Sequence, residues 1–368
     1  MNSQRLGITA AVALTAALAL SSCASNEGGT TANTTSPSNL SGTLNGIGSS
    51  AQGTAQTNWI SGFQTANPKV TVNYDPQGSG AGRKAFIAGG AAFAGSDAAL
   101  STTELTGTFA GCAAGSAGID LPVYISPIAI AYNLDGVTGL KLDSDTIAGI
   151  FSGAITTWND PKIAALNSGT TLPGAPITVI HRSDDSGTTQ NFTDYLATNS
   201  PTVWAKNGTP VPAGQTFPFQ VGDAAKGTSG VADGVKTTKN SITYIDESGA
   251  TGLSLAQLKV GSSFVTLSAA GAAGVVAASP LASGRAANDI AININRKDTS
   301  ANAWPLVLVS YVVACQQYKD AATGDLVRAY VSYAVSDAAQ QLAAQKAGSA
   351  PLAKDLATKV LAAAATIK

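Results

Sequence analysis

A cation, two carboxylates and a Ser-Gly-Thr turn stand together in the stretch Arg182-Ser-Asp-Asp-Ser-Gly-Thr188. The arginine is a fixed positive charge, and serine and threonine are small hydroxyl donors. A helix opening at Ser186 would leave its first amides without intrahelical partners, at the end where the helix dipole favours negative charge. That is chemistry for holding an anion. Two further turns repeat the pattern, Gly46-Ile-Gly-Ser-Ser-Ala51 and Gly78-Ser-Gly-Ala-Gly82. Three such turns with one arginine point to a binder of a small tetrahedral oxyanion.

Catalysis fits the residues less well. Ser186, His181 and Asp184 have the letters of a hydrolase triad, but His181 and Ser186 sit around one turn and no Gly-x-Ser-x-Gly elbow occurs. There is no phosphate-loop signature, and one histidine in the whole chain cannot build a metallophosphatase centre. His181 alternates with Arg182 along a strand, so it should face the other way as a packing residue. No metal and no cofactor are called for. Charged residues make up 12% and the formal net charge is -1, so nothing in the composition points to a nucleic-acid surface or a polybasic membrane patch.

The elements that must carry these turns alternate between strand and helix. Helical spacing runs over 52–66, with Trp59, Ile60 and Phe63 on one face, then a strand over 70–74, a short helix over 80–88 and a strand over 93–97. A long apolar β run covers 123–133, a helix 144–152, and a buried strand 177–180 that delivers Arg182 to its turn. Ser186 caps the next helix. Later strands are expected over 242–245 and 306–313, and closing helices over 330–347 and 352–367. Strand, Ser/Gly turn and helix in repetition indicate an α/β fold with ligand groups at the carboxyl ends of strands.

The first residues bear on location. Arg5 precedes an apolar run from Ile8 to Leu20, too short to span a membrane permanently, and Leu20-Ser-Ser-Cys23 resembles the lipobox of bacterial lipoproteins. The expectation is a signal peptide over 1–22, acylation of Cys23 (palmitate among the acyl groups), a Ser/Thr/Asn/Gly-rich tether over 23–41, and a protein lipid-anchored on the extracytoplasmic face of the cell membrane. Cys112 and Cys315 remain. In an oxidising compartment they are expected to pair, the alternative being two separate buried thiols.

From Leu44 onward the chain resembles the phosphate-binding receptors of the bacterial phosphate ABC importer. The likeness is carried in order by the three turns above and by Phe93-Ala-Gly-Ser-Asp-Ala-Ala-Leu100, Ile147-Ala-Gly-Ile-Phe-Ser-Gly153, Ile155-Thr-Thr-Trp-Asn-Asp-Pro161, Ile163-Ala-Ala-Leu-Asn167 and Ala303-Trp-Pro305. The resemblance implies the two-lobed periplasmic-binding-protein fold (type II), with the ligand between lobes of about 42–126 plus 300–368 and 127–299. Cys112 and Cys315 would then meet in the first lobe. It implies a monomeric phosphate receptor that works with the importer's membrane subunits and is no enzyme. Ser49, Ser50 and Ala51 match the first-turn donors, although the family has threonine and an aromatic at the last two positions. Ser79 matches the second-turn donor and Asp97 a carboxylate acceptor. Arg182, Ser186, Gly187 and Thr188 match the third turn, and Asp184 a carboxylate beside the arginine. Asp185 replaces a glycine. Singly, the serines read as helix caps and Arg182–Asp184 as a surface pair of little consequence; jointly they read as a site.

Asp97 carries the expected selectivity. An ionised carboxylate only accepts hydrogen bonds, so it favours an anion that still carries a proton, as phosphate does near neutral pH and sulfate does not. A receptor for sulfate or molybdate, or a phosphate-binding surface protein without transport, is the alternative.

Overall fold

The computed structural model describes residues 39–368. The expected signal peptide, the anchor Cys23 and most of the tether lie outside the described residues. Among the described residues no helix is long and apolar enough to cross a membrane.

Parallel β1 (Gly42–Gly48), β2 (Val70–Asp75) and β3 (Phe93–Ser96) open the fold, joined by α1 (Gly53–Ala66) and α2 (Ser79–Ile87). α1 forms because Trp59 and Phe63, one turn apart, are both buried, and Trp59 donates its indole N–H to Ala339 O at 2.9 Å. β4 (Gly118–Asn133) is buried along almost its whole length, as a strand covered on both faces must be. α3 (Ser144–Ser152), β5 (Thr178–Arg182), α4 (Gly187–Asn199), β6 (Asp223–Ala225), α5 (Gly227–Thr237), β7 (Ser241–Asp246) and β8 (Ser254–Leu255) follow. The chain then runs through α6 (Ala269–Ala277) and β9 (Val307–Cys315) to α7 (Ala321–Ala334), α8 (Asp337–Ala347) and α9 (Lys354–Ala364).

One nine-stranded sheet collects these strands in the order β2-β1-β3-β9-β4-β7-β5-β6, with β8 also on β4. β4 changes partner part-way. Gly118 to Pro127 pair with antiparallel β9, and Ile128 to Asn133 pair with antiparallel β7. The change falls at Pro127, which has no N–H to continue a ladder. The register also slips at Ser310/Tyr311, opposite Tyr124 and Pro122. Bulges re-aim side chains, and Ser310 is buried at this one.

Several elements differ from those expected of the sequence, the short strands β6 and β8 among them. The single closing helix over 330–347 is two, because Ser336 caps α8 by accepting the Ala339 amide at 3.3 Å. Neither α5 nor α6 is expected from the sequence: both are rich in glycine and small residues of low helix propensity, and only α6 also lacks a clear apolar stripe. β1 was read only as part of a turn. Residues 281–292 bind to the first half of β4: Ile290 N donates to Asp120 O, and Arg285 bridges Asp120 and Asp289. Cys112 and Cys315 form a disulfide, with the cysteines 203 residues apart.

Candidate functional site

Strand ends gather the site. β1 stops at Gly48 and hands on to Ser49, β2 leads into the turn before Ser79, β3 stops before Asp97, and β5 ends at Arg182. β1 and β3 approach very closely there. A Cβ on Gly48, whose φ is +150°, would stand 2.0 Å from Gly95 O, so only glycine fits.

Asp97 lies at the centre, 3% exposed. Its Oδ1 accepts from Ser49 Oγ and Ser310 Oγ, both at 2.5 Å. Its Oδ2 has only longer contacts, from Ser79 Oγ at 3.3 Å and Thr188 Oγ1 at 3.5 Å. Burial pushes the carboxyl above its ordinary range, and the Ser310 and Ser49 hydroxyls, the Arg182 charge and Ser79 pull back against it. The Ser49 amide is engaged by Gly95 O at 2.8 Å, so Ser49 offers this cluster its hydroxyl. That oxygen also accepts the Ala51 and Gln52 amides at 3.1 and 3.3 Å.

Arg182 is almost fully buried and makes a two-pronged pair with Asp184, Nε to Oδ1 at 2.7 Å and Nη2 to Oδ2 at 2.5 Å. Asp184 also accepts the Gly227 amide at 3.1 Å. Burial is the largest single influence and raises the Asp184 carboxyl, but the hydrogen bond and charge of Arg182, with the Gly227 amide and its own amide, together hold it below the ordinary range. The pair fixes the guanidinium by its Nε/Nη2 edge and leaves the Nη1 edge over. Ser186 Oγ accepts the Thr189 amide at 3.2 Å as the cap of α4, which presents Gly187 and Thr188 in the first turn. Gly187 packs so near Asp97 and Ser79 that a Cβ would lie 2.6 Å from Asp97 Cβ and from Ser79 Oγ. Ser49, Ser79, Asp97, Arg182, Ser186, Gly187 and Thr188 therefore converge from both sides of the sheet. Ala51 is buried, and Ser50 turns to Thr228, Oγ to Oγ1, at 3.1 Å.

Asp185 reaches across the same cleft: it takes Lys84 Nζ at 2.7 Å and Thr216 Oγ1 at 3.0 Å, and its carbonyl accepts the Gly80 amide at 3.0 Å. The Lys84 hydrogen bond, then Thr216, holds its carboxyl below the ordinary range. His181 stacks on Phe217 with ring centroids 4.1 Å apart and Nδ1 3.0 Å from Arg182 O, while Ser186 caps its helix. Each has partners other than those a triad requires.

Sequence reasoning missed a supporting shell. Tyr330 OH donates to Gln56 Oε1 at 2.6 Å, Gln56 Nε2 to Gln52 Oε1 at 2.8 Å, Gln52 Nε2 to Ser310 Oγ at 2.6 Å, and Ser310 to Asp97. Every bond points the same way, so Ser310 must spend its own hydrogen on Asp97. The available signal was two glutamines four residues apart, Gln52 at the N-cap of α1 and Gln56 on its buried face. From the other side, Asn191 Nδ2 donates to Asp97 O at 2.7 Å, and Asn191 Oδ1 accepts from buried Arg296 at 2.5 Å. Nothing in the sequence marks Arg296.

Comparison with known proteins gives a consistent picture. Residues 32–338 match the model of the PBP superfamily domain. The chain is similar to the phosphate-binding protein PstS2 of Mycobacterium bovis, 37% identical over 370 residues that cover 96% of this chain and 97% of that one. It is 38% identical to the phosphate-binding protein PstS 3 of Mycobacterium leprae over 297 residues, 78% of each chain. Among solved structures it is similar to the periplasmic phosphate-binding protein PfluDING bound with phosphate, at a TM-score of 0.71 and 25% identity over 87% of this chain and 93% of that one.

Proposed function

The chain belongs to the phosphate-binding proteins of the PBP superfamily, and from that premise we propose that it is an extracytoplasmic receptor that closes on one inorganic phosphate and delivers it to the membrane subunits of an ABC importer. The fold is two-lobed, and the lobes are drawn at 42–126 plus 300–368 and 127–299, with 281–292 packed back on the first. Closure between them is the binding event, and the closed form is the one the importer reads. Cys23 is the acylated anchor.

The carrying observation is the unequal use of the two Asp97 oxygens. Oδ1 is filled by two short hydroxyl bonds, whereas Oδ2 holds only contacts of 3.3 and 3.5 Å. Oδ2 is the acceptor left for a proton on the ligand. Phosphate brings such a proton near neutral pH; sulfate does not. Ser79, Thr188, the first-turn amides of α4 and the Nη1 edge of Arg182 supply donors to the remaining ligand oxygens, and the Ser50 hydroxyl supplies the first turn, the Ala51 amide being taken by Ser49 Oγ at 3.1 Å. These groups bind and orient, and the role is that of a receptor rather than a catalyst.

Calorimetric titration of the ligand-free protein beginning after Cys23, with phosphate and then sulfate at neutral pH, tests the proposal. One-to-one phosphate binding with sulfate at least ~10-fold weaker is expected, from the cost of an unpaired buried acceptor. Equal binding of the two anions would make it a general oxyanion receptor, and binding of neither would remove the site.

A further inference from the structure

Asp246 ends β7 fully buried, in a position that the binding scheme above leaves without a role. Its Oδ1 accepts from Thr228 Oγ1 at 2.9 Å, and its Oδ2 accepts from the Ser248 hydroxyl. Thr228 stands in the first turn of α5 and reaches across the cleft. Its amide donates to Ser50 Oγ at 3.1 Å, and its own hydroxyl oxygen lies 3.1 Å from the same atom.

Each hydroxyl has one hydrogen to give. While Asp246 is ionised it can only accept, so the Thr228 hydrogen is committed to it. The contact between Ser50 and Thr228 is then a bond only if Ser50 spends its hydrogen on Thr228. An anion bound at Ser50 competes for that same hydrogen. If the anion takes it, two oxygen lone pairs face each other at the cleft wall, with nothing between them.

A proton on Asp246 removes the conflict. The neutral carboxyl donates to Thr228 Oγ1, Thr228 turns its hydrogen to Ser50 Oγ, and Ser50 gives its own to the anion. Every lone pair then facing a neighbour is filled, and the one proton added comes from solvent. We infer that Ser50, Thr228 and Asp246 form a donor switch in which anion binding at Ser50 draws a proton onto Asp246. The inference rests on reading the cleft as a phosphate site.

The surroundings suit the switch. Burial is the largest influence and pushes the Asp246 carboxyl up to about 6; Ser248 and Thr228 oppose it, Asp97 at the end of β3 adds to it, and Arg182 on β5 opposes it. Tyr124 on β4 is pushed up by burial and by the Asp246 charge, and Glu247 is raised to about 7 by the same two causes. The charged residues of α5, Asp233 and Lys236, are exposed. Ser50, Thr228 and Ser248 line an open groove of about 630 Å³, which gives solvent protons a route.

The test is phosphate titration at pH 7 in buffers of different ionisation enthalpy, which counts the protons taken up on binding. A rise of one unit in the Asp246 pKa, from about 6, corresponds to an uptake of ~0.4 proton at pH 7. Phosphate's own proton change is common to all variants and cancels between them. The wild type and Thr228→Ser should take up ~0.4 proton more than Asp246→Asn and Thr228→Val, by the same linkage. Equal uptake in all four overturns the switch. Extra uptake that persists in Thr228→Val also overturns it, because the field of the anion acting through space on Asp246 needs no hydroxyl. Should Asp246→Asn fail to fold, Thr228→Ser against Thr228→Val decides alone. A wild type that gives no phosphate binding heat at all is a different result, and it removes the reading of the site together with the switch.

Discussion

Replacing Gly187 by alanine wedges the cleft at its narrowest point. The added Cβ would stand 2.6 Å from Asp97 Cβ, 2.6 Å from Ser79 Oγ and 3.0 Å from Asp97 Cα. Ordinary carbon contacts need about 3.5–4.0 Å, so the α4 turn and the Asp97 turn must part by about 1 Å. The Thr188 contact to Asp97 Oδ2, already at 3.5 Å, is lost, and the 2.7 Å bond from Asn191 to Asp97 O stretches beyond hydrogen-bond range. Losing one bond to a charged group and one neutral bond costs about 2–4 kcal/mol, or roughly 30- to 1,000-fold in phosphate affinity. In the open form that the proposed closure requires, the two turns stand apart and the substitution meets no clash. Gly187 lies in a helical first turn and is not among the residues with positive φ, and alanine there is favoured over glycine by about 0.5–1 kcal/mol. Calorimetric titration and thermal melts of the ligand-free variant should therefore move in opposite senses, with weaker binding at equal or higher Tm. Phosphate affinity within about threefold of the parent, well short of one tenfold step of 1.4 kcal/mol, would show that the two turns do not meet in the ligand-bound form, and the reasoning would fall.

Asp97→Asn supplies a donor where the site has an acceptor; sulfate affinity should rise by roughly 5- to 150-fold while phosphate weakens modestly, and unchanged exclusion of sulfate in competition titrations would refute the selectivity argument. Arg182→Lys cannot reproduce the two-pronged pair with Asp184, so phosphate and arsenate should both weaken by roughly 10- to 150-fold, read by the same titrations. Replacing Cys112 and Cys315 together by serine frees a loop of 203 residues in the unfolded chain, a loss of up to about 5 kcal/mol that scanning calorimetry would register as a lower Tm with phosphate affinity preserved. The Asp246 pKa, about 6 when folded, exceeds its unfolded value, so the folded state binds the extra proton between about pH 4 and 6 and Asp246 costs stability above that window. Asp246→Asn should thus be more stable than the parent at pH 7.5, by up to about 3 kcal/mol at 1.36 kcal/mol per pKa unit, with the gap falling to about half at pH 5 and closing below about pH 4; a gap that does not change with pH would contradict this.

The local chemistry of the site is legible in short stretches of the chain. Ser186 caps its helix as its type demands, and the turns carrying Ser79, Asp97 and Arg182 follow strands whose apolar runs are visible in the chain. Such features are encoded within a few neighbouring residues, where backbone sterics and capping act. Which groups support the site depends instead on contacts made across the fold. Ser310 reaches Asp97 from 213 residues away because a bulge turns it inward, Gln52 reaches Ser310 across 258 residues, and Ser50 meets Thr228 across 178. The same holds for Asp185, whose partner Lys84 is 101 residues distant. A serine or glutamine has no preferred partner at such range, and its hydroxyl or amide acquires a hydrogen-bond direction only when burial takes water away and leaves one neighbour to satisfy.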